Sequence, residues 1–268
     1  MRVVVITGAS DGIGAEMARQ LAAQEGPNIA LVLAARNAQQ LELVAGECAA
    51  HGAQTLTVPT DVGVQIQCRR LVVSSIERFG RIDVLVNNAG RSAHALFEEV
   101  EDLAWYEELM RVNLWGAVWC TQAALPALKA AQGKIVAVSS LAGLVGVPGR
   151  TAYSATKFAM TGFFEALRAE MKGYGVSITT AYPGVVATRI RYRGFNAQGG
   201  EMGSSALKEE GAMSVEECAR LIIAGMDGHK REVVMTAKGK IGRFLKLLAP
   251  GLVEKMALAA LKQDVRPH

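Results

Sequence analysis

Cysteine, histidine and aromatic residues are scarce in this chain. Four cysteines and four histidines are spread over 268 residues. Cys48, Cys68, Cys120 and Cys218 have no spacing that suits a metal site or a disulfide framework, and the histidines do not cluster, so no metal is expected. Reduced thiols in a cytoplasmic protein are the expected state. No apolar run approaches the roughly eighteen residues that a membrane span needs. The first apolar run, VVVIT, begins at residue 3, so neither a signal peptide nor an N-terminal anchor is expected. Aromatics make up 6% of the chain, with no basic stripe threaded between them, which argues against a nucleic-acid partner. Repeats and low-complexity linkers are absent, and one domain over residues 1–268 is expected.

Apolar residues and glycine are abundant. Half the chain is apolar, a fifth is charged, and there are 28 glycines. Many of the glycines fall at the ends of apolar runs, which suggests backbone approach to a ligand. The net charge of +4 is uneven: residues 238–268 hold seven Lys/Arg against Glu254 and Asp264, which leaves the first 237 residues at −1.

Short β-rich runs alternate with helical patterns. Strands are predicted near 2–7, 29–35, 54–58, 82–87, 134–140, 176–182 and 232–235. Helices are predicted over 13–25, 38–51, 64–79, 99–131, 152–173 and 214–228. Runs buried on both faces and separated by helices imply an α/β fold, a doubly wound parallel sheet with helices on both sides. Two segments interrupt the pattern. Residues 189–213 are polar and glycine-rich, as in a substrate lid or a disordered piece. Residues 238–268 form a C-terminal amphipathic appendix, split at Ala249-Pro250-Gly251.

The stretch VVVITGASDGIGAEMA reads strand, glycine turn, helix. Gly8 lets the chain turn off the strand, and Gly12 and Gly14 let backbone come close to a ligand. Exposed N–H groups at the helix start, around Ser10, Asp11 and Ile13, favour a pyrophosphate. The second strand ends in Ala35-Arg36. An acidic residue at that edge would bind a ribose 2′-hydroxyl; the guanidinium of Arg36 can hold a 2′-phosphate instead. NADP(H) is therefore favoured over NAD(H), although an anion at Asp11 would oppose the phosphate. Asp61-Val62 and Asn87-Asn88-Ala89-Gly90 follow the third and fourth strands, where open α/β sheets bind ligands.

The fifth strand ends at Ser139-Ser140. Tyr153 and Lys157 lie four apart on a predicted helix and share a face. Tyrosine is a poor base at neutral pH, but a nearby cation favours its phenolate. It can then exchange a proton with a carbonyl or alcohol oxygen, while Ser140 hydrogen-bonds the same oxygen.

Together TGASDGIG, NNAG, RVNLWG, IVAVSS, AYSATK and AYPG resemble the short-chain dehydrogenase/reductase family, over about residues 1 to 190. The resemblance implies about seven parallel strands and a hydride-transferring oxidoreductase. By the same resemblance Tyr153 is the acid/base, and Lys157 lowers its pKa and holds the nicotinamide ribose. Ser140 positions the substrate. Asn113 bends its helix and holds a water that links Lys157 to solvent. Asp61 and Val62 contact adenine, Asn88, Ala89 and Gly90 line the ribose, and Pro183, Gly184, Val186 and Thr188 hold the carboxamide and phosphates. The ending, with SSLAG and AYSATKFAMTGFF, looks like the hydroxysteroid-dehydrogenase-like branch more than a 3-oxoacyl reductase. A homodimer or homotetramer built on the 99–131 and 152–173 helices is implied.

Apolar candidates for the substrate wall, Leu141, Val145, Val147 and Tyr182 to Gly184, suggest a lipophilic ketone or alcohol. His94 is a further candidate at the pocket edge, and Arg189, Arg191 and Arg193 would suit an anionic substrate. The appendix has three readings: apolar faces that cover the substrate cleft, a contact with a second subunit, or a membrane interface with Lys240, Arg243 and Lys246 outward. Packing on the protein through Ile241, Phe244, Leu245 and Leu248, at helical spacing, ranks first. The rival from a different class is a non-catalytic nucleotide sensor or scaffold on the same fold.

Overall fold

The computed structural model describes residues 1–203 and 211–264. Seven strands run in chain order as β1 (Arg2–Thr7), β2 (Ile29–Ala35), β3 (Gln54–Pro59), β4 (Val84–Asn87), β5 (Lys134–Val138), β6 (Ser177–Tyr182) and β7 (Glu232–Val234). They form one parallel sheet in the order β3-β2-β1-β4-β5-β6-β7. The helices are α1 (Gly12–Glu25), α2 (Ala38–Ala49), α3 (Gln65–Phe79), α4 (Ala104–Met110), α5 (Gly116–Ala130), α6 (Thr151–Met171), α7 (Val215–Asp227), α8 (Ala237–Leu248) and α9 (Pro250–Asp264).

Strand residues alternate between two cores. Val4, Ile6, Leu31, Leu33, Val86 and Val136 face one layer, with Met17, Leu21, Leu41 and Ile222 of α1, α2 and α7. Val3, Val5, Val32, Leu85, Ile135 and Ile178 face the other, with Leu71, Leu128 and Phe164 of α3, α5 and α6. Such strands must be apolar on both sides, which is why they read as unbroken runs. Each buried Val, Leu or Ile contributes about 1.5–3 kcal/mol. The chain builds outward from β1 to β3, then returns to place β4 on the other side of β1. That reversal opens a crevice at the carboxyl ends of β1 and β4.

Three expectations need correction. The helix predicted over 99–131 begins only at Ala104, because Asp102 accepts a hydrogen bond from the Ala104 N–H (2.9 Å) and turns the chain there. It then widens into a π-helical turn, Arg111–Trp115, before α5. The strand predicted over 134–140 stops at Val138, which leaves Ser139 and Ser140 beyond the sheet edge.

The appendix is the third. It does fold as two helices, and Leu245 is half-buried, but Ile241, Phe244 and Leu248 face outward at 63%, 68% and 86% exposure. The inner stripe runs instead through Gly239, where a side chain would collide with Leu141 Cδ2 at 2.4 Å, and through Lys246 and Val253. Lys246 Nζ donates to the Leu144 carbonyl (3.0 Å) and lies over the Phe158 ring, and Arg243 pairs with Glu232. Two of the three cations expected to face outward are thus turned to the protein. No helix among the described residues is long and apolar enough to cross a membrane. Of the predicted lid, residues 204–210 lie outside the described residues.

Candidate active site

The glycine turn is held open by its neighbours. Gly8 and Gly12 adopt φ of +67° and +55°, which favours glycine. A Cβ at Gly14 would lie 2.4 Å from the Gly8 carbonyl oxygen, and one at Gly8 would lie 2.9 Å from Ala89 Cα. Thr7 ties the turn to β4: its hydroxyl donates to Val86 O (3.1 Å) and accepts from the N–H groups of Asn88 and Ala89. Asn88 Nδ2 donates back to Thr7 O (3.0 Å) and Gly8 O (3.2 Å). Asn88, expected only to line a ribose, is therefore also a clamp on the turn.

A cleft of about 430 Å³ lies over this turn. Its walls include Gly8, Ser10, Asp11, Gly12, Ile13, Arg36, Asp61, Val62, Asn88, Ala89, Gly90 and Thr188, so most predicted cofactor residues meet here. Arg36 is exposed and has no partner among the described residues. Asp11 caps α1 by accepting from the Gly12 N–H (2.8 Å). It also pairs with Arg193 at 3.2 Å. That ion pair offsets the anion expected to repel a phosphate, and it ties the segment after β6 across the cleft mouth. Nothing in the sequence pairs residues 11 and 193. The glycine cradle, the helix start and the cation at the β2 edge fit a dinucleotide.

A second cavity of about 260 Å³ adjoins the first, and Ile13, Asn88, Gly90, Arg91, Thr188 and Ile190 line both. Its walls bring together Ser140, Tyr153, Lys157, Pro183, Gly184 and Val186. Leu141 and Val147 line it as expected. Val145 does not, and Tyr182 is 1% exposed within the core. His94 also lies outside the lining and packs against Gly149.

Ser139 and Ser140 point to different tasks. Ser139 Oγ is buried and donates to the Lys157 carbonyl (3.3 Å), which joins β5 to α6. Ser140 opens toward the cavity, and its Oγ accepts from the Ala142 N–H (3.2 Å). Lys157 is 4% exposed, and its Nζ donates to Val138 O (2.9 Å) and lies 5.7 Å from the Tyr153 ring centre. Burial pushes the Lys157 ammonium below its ordinary value; the Tyr153 phenolate draws it back up and Arg150 pushes it down.

Asn113 is fully buried in the π-helical turn. Its Oδ1 accepts from the Arg91 N–H (2.7 Å), and its Nδ2 donates to Arg91 O (2.9 Å) and Thr156 Oγ1 (3.0 Å). π turns are frequent at functional sites, and the Asn113 side chain locks the β4 loop to α6.

Sequence reasoning missed Thr7, Arg91 and Arg150. Arg91 pairs with Glu108 (3.1 Å) and lies over the Phe195 ring. Arg150 stands three residues before Tyr153, but no spacing rule singles it out there.

Comparisons with known proteins agree with this geometry. The family described as short chain dehydrogenase matches residues 2–198. The 11-beta-hydroxysteroid dehydrogenase 1A of Arabidopsis thaliana is 36% identical over 260 residues, which span 94% of this chain and 73% of that protein. The dehydrogenase/reductase SDR family protein 7-like of Dictyostelium discoideum is 33% identical over 272 residues, 98% of this chain and 84% of that one. A solved alcohol dehydrogenase from the archaeon Thermococcus sibiricus, complexed with 5-hydroxy-NADP, superposes with a TM-score of 0.74 at 28% identity. The match covers 87% of this chain and 94% of that chain. With most of its length matched by the family and a parallel sheet that carries the glycine turn and the Ser-Tyr-Lys set at one edge, the chain belongs to the short-chain dehydrogenases.

Proposed function

We propose that the protein is an NADP(H)-dependent oxidoreductase that interconverts a lipophilic secondary alcohol and its ketone or aldehyde. One observation carries the reading: Ser140, Tyr153 and Lys157 line a cavity that adjoins the glycine-turn cleft and shares wall residues with it. Gly8, Ser10, Gly12, Ile13, Asp61, Val62 and Asn88 to Gly90 would hold the adenosine and phosphates, Arg36 the 2′-phosphate, and Pro183 to Thr188 the nicotinamide end. When bound, the nicotinamide supplies or accepts a hydride.

The chain's own residues manage the proton. Tyr153 gives a proton to the substrate oxygen in reduction or takes it in oxidation. Ser140 donates a hydrogen bond to that oxygen and stabilises its developing charge. Lys157, held by Val138 O, keeps a positive charge beside the phenol. Asn113 anchors this helix turn, and a proton relay to solvent past Lys157 remains part of the proposal.

The walls support a neutral, lipophilic substrate. Leu141, Ala142, Val147, Val185 and Val186 line the cavity. Its arginines are engaged within the protein: Arg91 with Glu108, Arg150 with Ser92, and Arg191 with Val186 O (3.0 Å). The reading takes the chain as one catalytic domain that assembles as a homodimer or homotetramer. Tyr153→Phe is the test. It should abolish NADPH-dependent ketone turnover while NADPH still binds, followed by cofactor fluorescence. Retained turnover would remove the mechanism.

A further inference from the structure

We propose that Arg150 is a positioning residue of the acid/base site: its guanidinium is a second cation held over the Tyr153 ring, where it favours the phenolate. The proposal builds on the assignment of Tyr153 as the acid/base group.

The geometry is specific. Arg150 Cζ lies 4.2 Å from the Tyr153 ring centre, closer than Lys157 Nζ at 5.7 Å. A cation on an aromatic face is a favourable arrangement, and the planar guanidinium stacks there readily. It is also anchored. Nη2 donates to Ser92 Oγ at 2.6 Å and Nε to Ala93 O at 3.2 Å, both in the segment after β4. The backbone on either side is joined as well, through Ala95 N to Gly149 O (2.8 Å) and the Ala95–Arg150 bridge. The charge is therefore fixed before any substrate arrives, which is the condition for useful electrostatic stabilisation.

The charge balance around the phenol gives this its force. α6 contributes Lys157, the segment after β4 contributes Arg91, and the segment after β6 contributes Arg191. The stretch after β5, from Ser139 to Val147, adds Ser139 and Ser140 but no charged group to the lining. No Asp or Glu lines this end of the cleft. Arg91 is balanced by Glu108. Arg150 has no carboxylate partner among the described residues; desolvation lowers its pKa, Tyr153 raises it and Arg191 lowers it. Arg150 is half-buried, and a partly desolvated cation without an acid beside it is unfavourable. Among the described residues, the anion that can form against it is the phenolate of Tyr153. Arg150 therefore interacts more favourably with the deprotonated tyrosine than with the protonated one.

The test reads Tyr153 directly, without a substrate. Tyrosinate absorbance is titrated with pH as the difference between each protein and the same protein carrying Tyr153→Phe. In Arg150→Gln, which keeps donors for Ser92 and Ala93 but loses the charge, the Tyr153 signal should appear about one pH unit or more higher. Arg150→Lys should restore most of that shift. With NADP and 1-phenylethanol as probe alcohol, the acid limb of kcat should move up by the same amount, roughly a tenfold loss on that limb. NADPH-dependent reduction below neutral pH should persist.

An unmoved tyrosinate titration in a folded, NADPH-binding Arg150→Gln protein overturns the proposal, as do equal shifts in Arg150→Gln and Arg150→Lys. If Arg150→Gln does not fold, Ser92→Ala decides, because it removes the anchor and keeps the charge: an upward shift supports the proposal and none overturns it. Retained turnover in Tyr153→Phe would instead refute the parent reading, and the absorbance result separates the two failures.

Discussion

Replacing Gly14 by alanine tests the nucleotide turn most sharply. The new methyl would sit 2.4 Å from Gly8 O, 2.5 Å from Asn88 Nδ2 and 2.9 Å from Gly8 C. The Asn88 carboxamide can retreat, but only by loosening its bonds to Thr7 O and Gly8 O. Gly8 O is backbone, in a turn at φ +67°, and cannot step aside without opening the turn. Overpacking of this kind costs about 1–3 kcal/mol. Two weakened hydrogen bonds add about 0.5–1.5 kcal/mol each, and the better helix former returns at most about 1 kcal/mol. The net loss is roughly 2–4 kcal/mol, or about 5–15 °C in Tm for a chain of this size.

Gly46→Ala is the control, since nothing lies within 4 Å of a Cβ at that exposed position in α2. It should gain up to about 1 kcal/mol from helix propensity alone. Thermal unfolding followed by circular dichroism, with NADPH titration by fluorescence, reads both effects. Gly14→Ala that melts with the wild type and binds NADPH equally would refute the packing argument.

Arg36→Ala should weaken NADPH binding about 10- to 100-fold, the worth of a charge-assisted hydrogen bond, and leave NADH binding unchanged; equal effects on both cofactors would show that Arg36 does not read the 2′-phosphate. Burial pushes Cys48 up to about 11 and Cys218 up to about 12, and Cys68 and Cys120 are buried as well. A thiol-reactive dye at pH 8 should therefore label none of the four in the native protein and all four in denaturant, and fast native labelling would contradict that burial.

The sequence carried the layered fold well. Unbroken runs such as VVVI and IALVLAA can sit only in strands covered on both faces, and these became β1 and β2 in the two cores. It misplaced the start of the helix after 99 because Asp102 acts through one local hydrogen bond, which periodicity does not register. It misassigned the face of the appendix because Gly239 sets which stripe of α8 approaches Leu141. An absent side chain has no place in a hydrophobic pattern.

By itself, then, the sequence determined what is local and periodic: strand and helix alternation, the glycine turn, and Tyr153 and Lys157 on one helical face. Only the tertiary structure decided which distant residues stand over them. Asp11 meets Arg193, and Arg150 reaches Ser92 across 58 residues of chain, because the sheet order brings those loops to one edge. The environment of a charge depends on such long-range contacts, and no spacing along the chain encodes them.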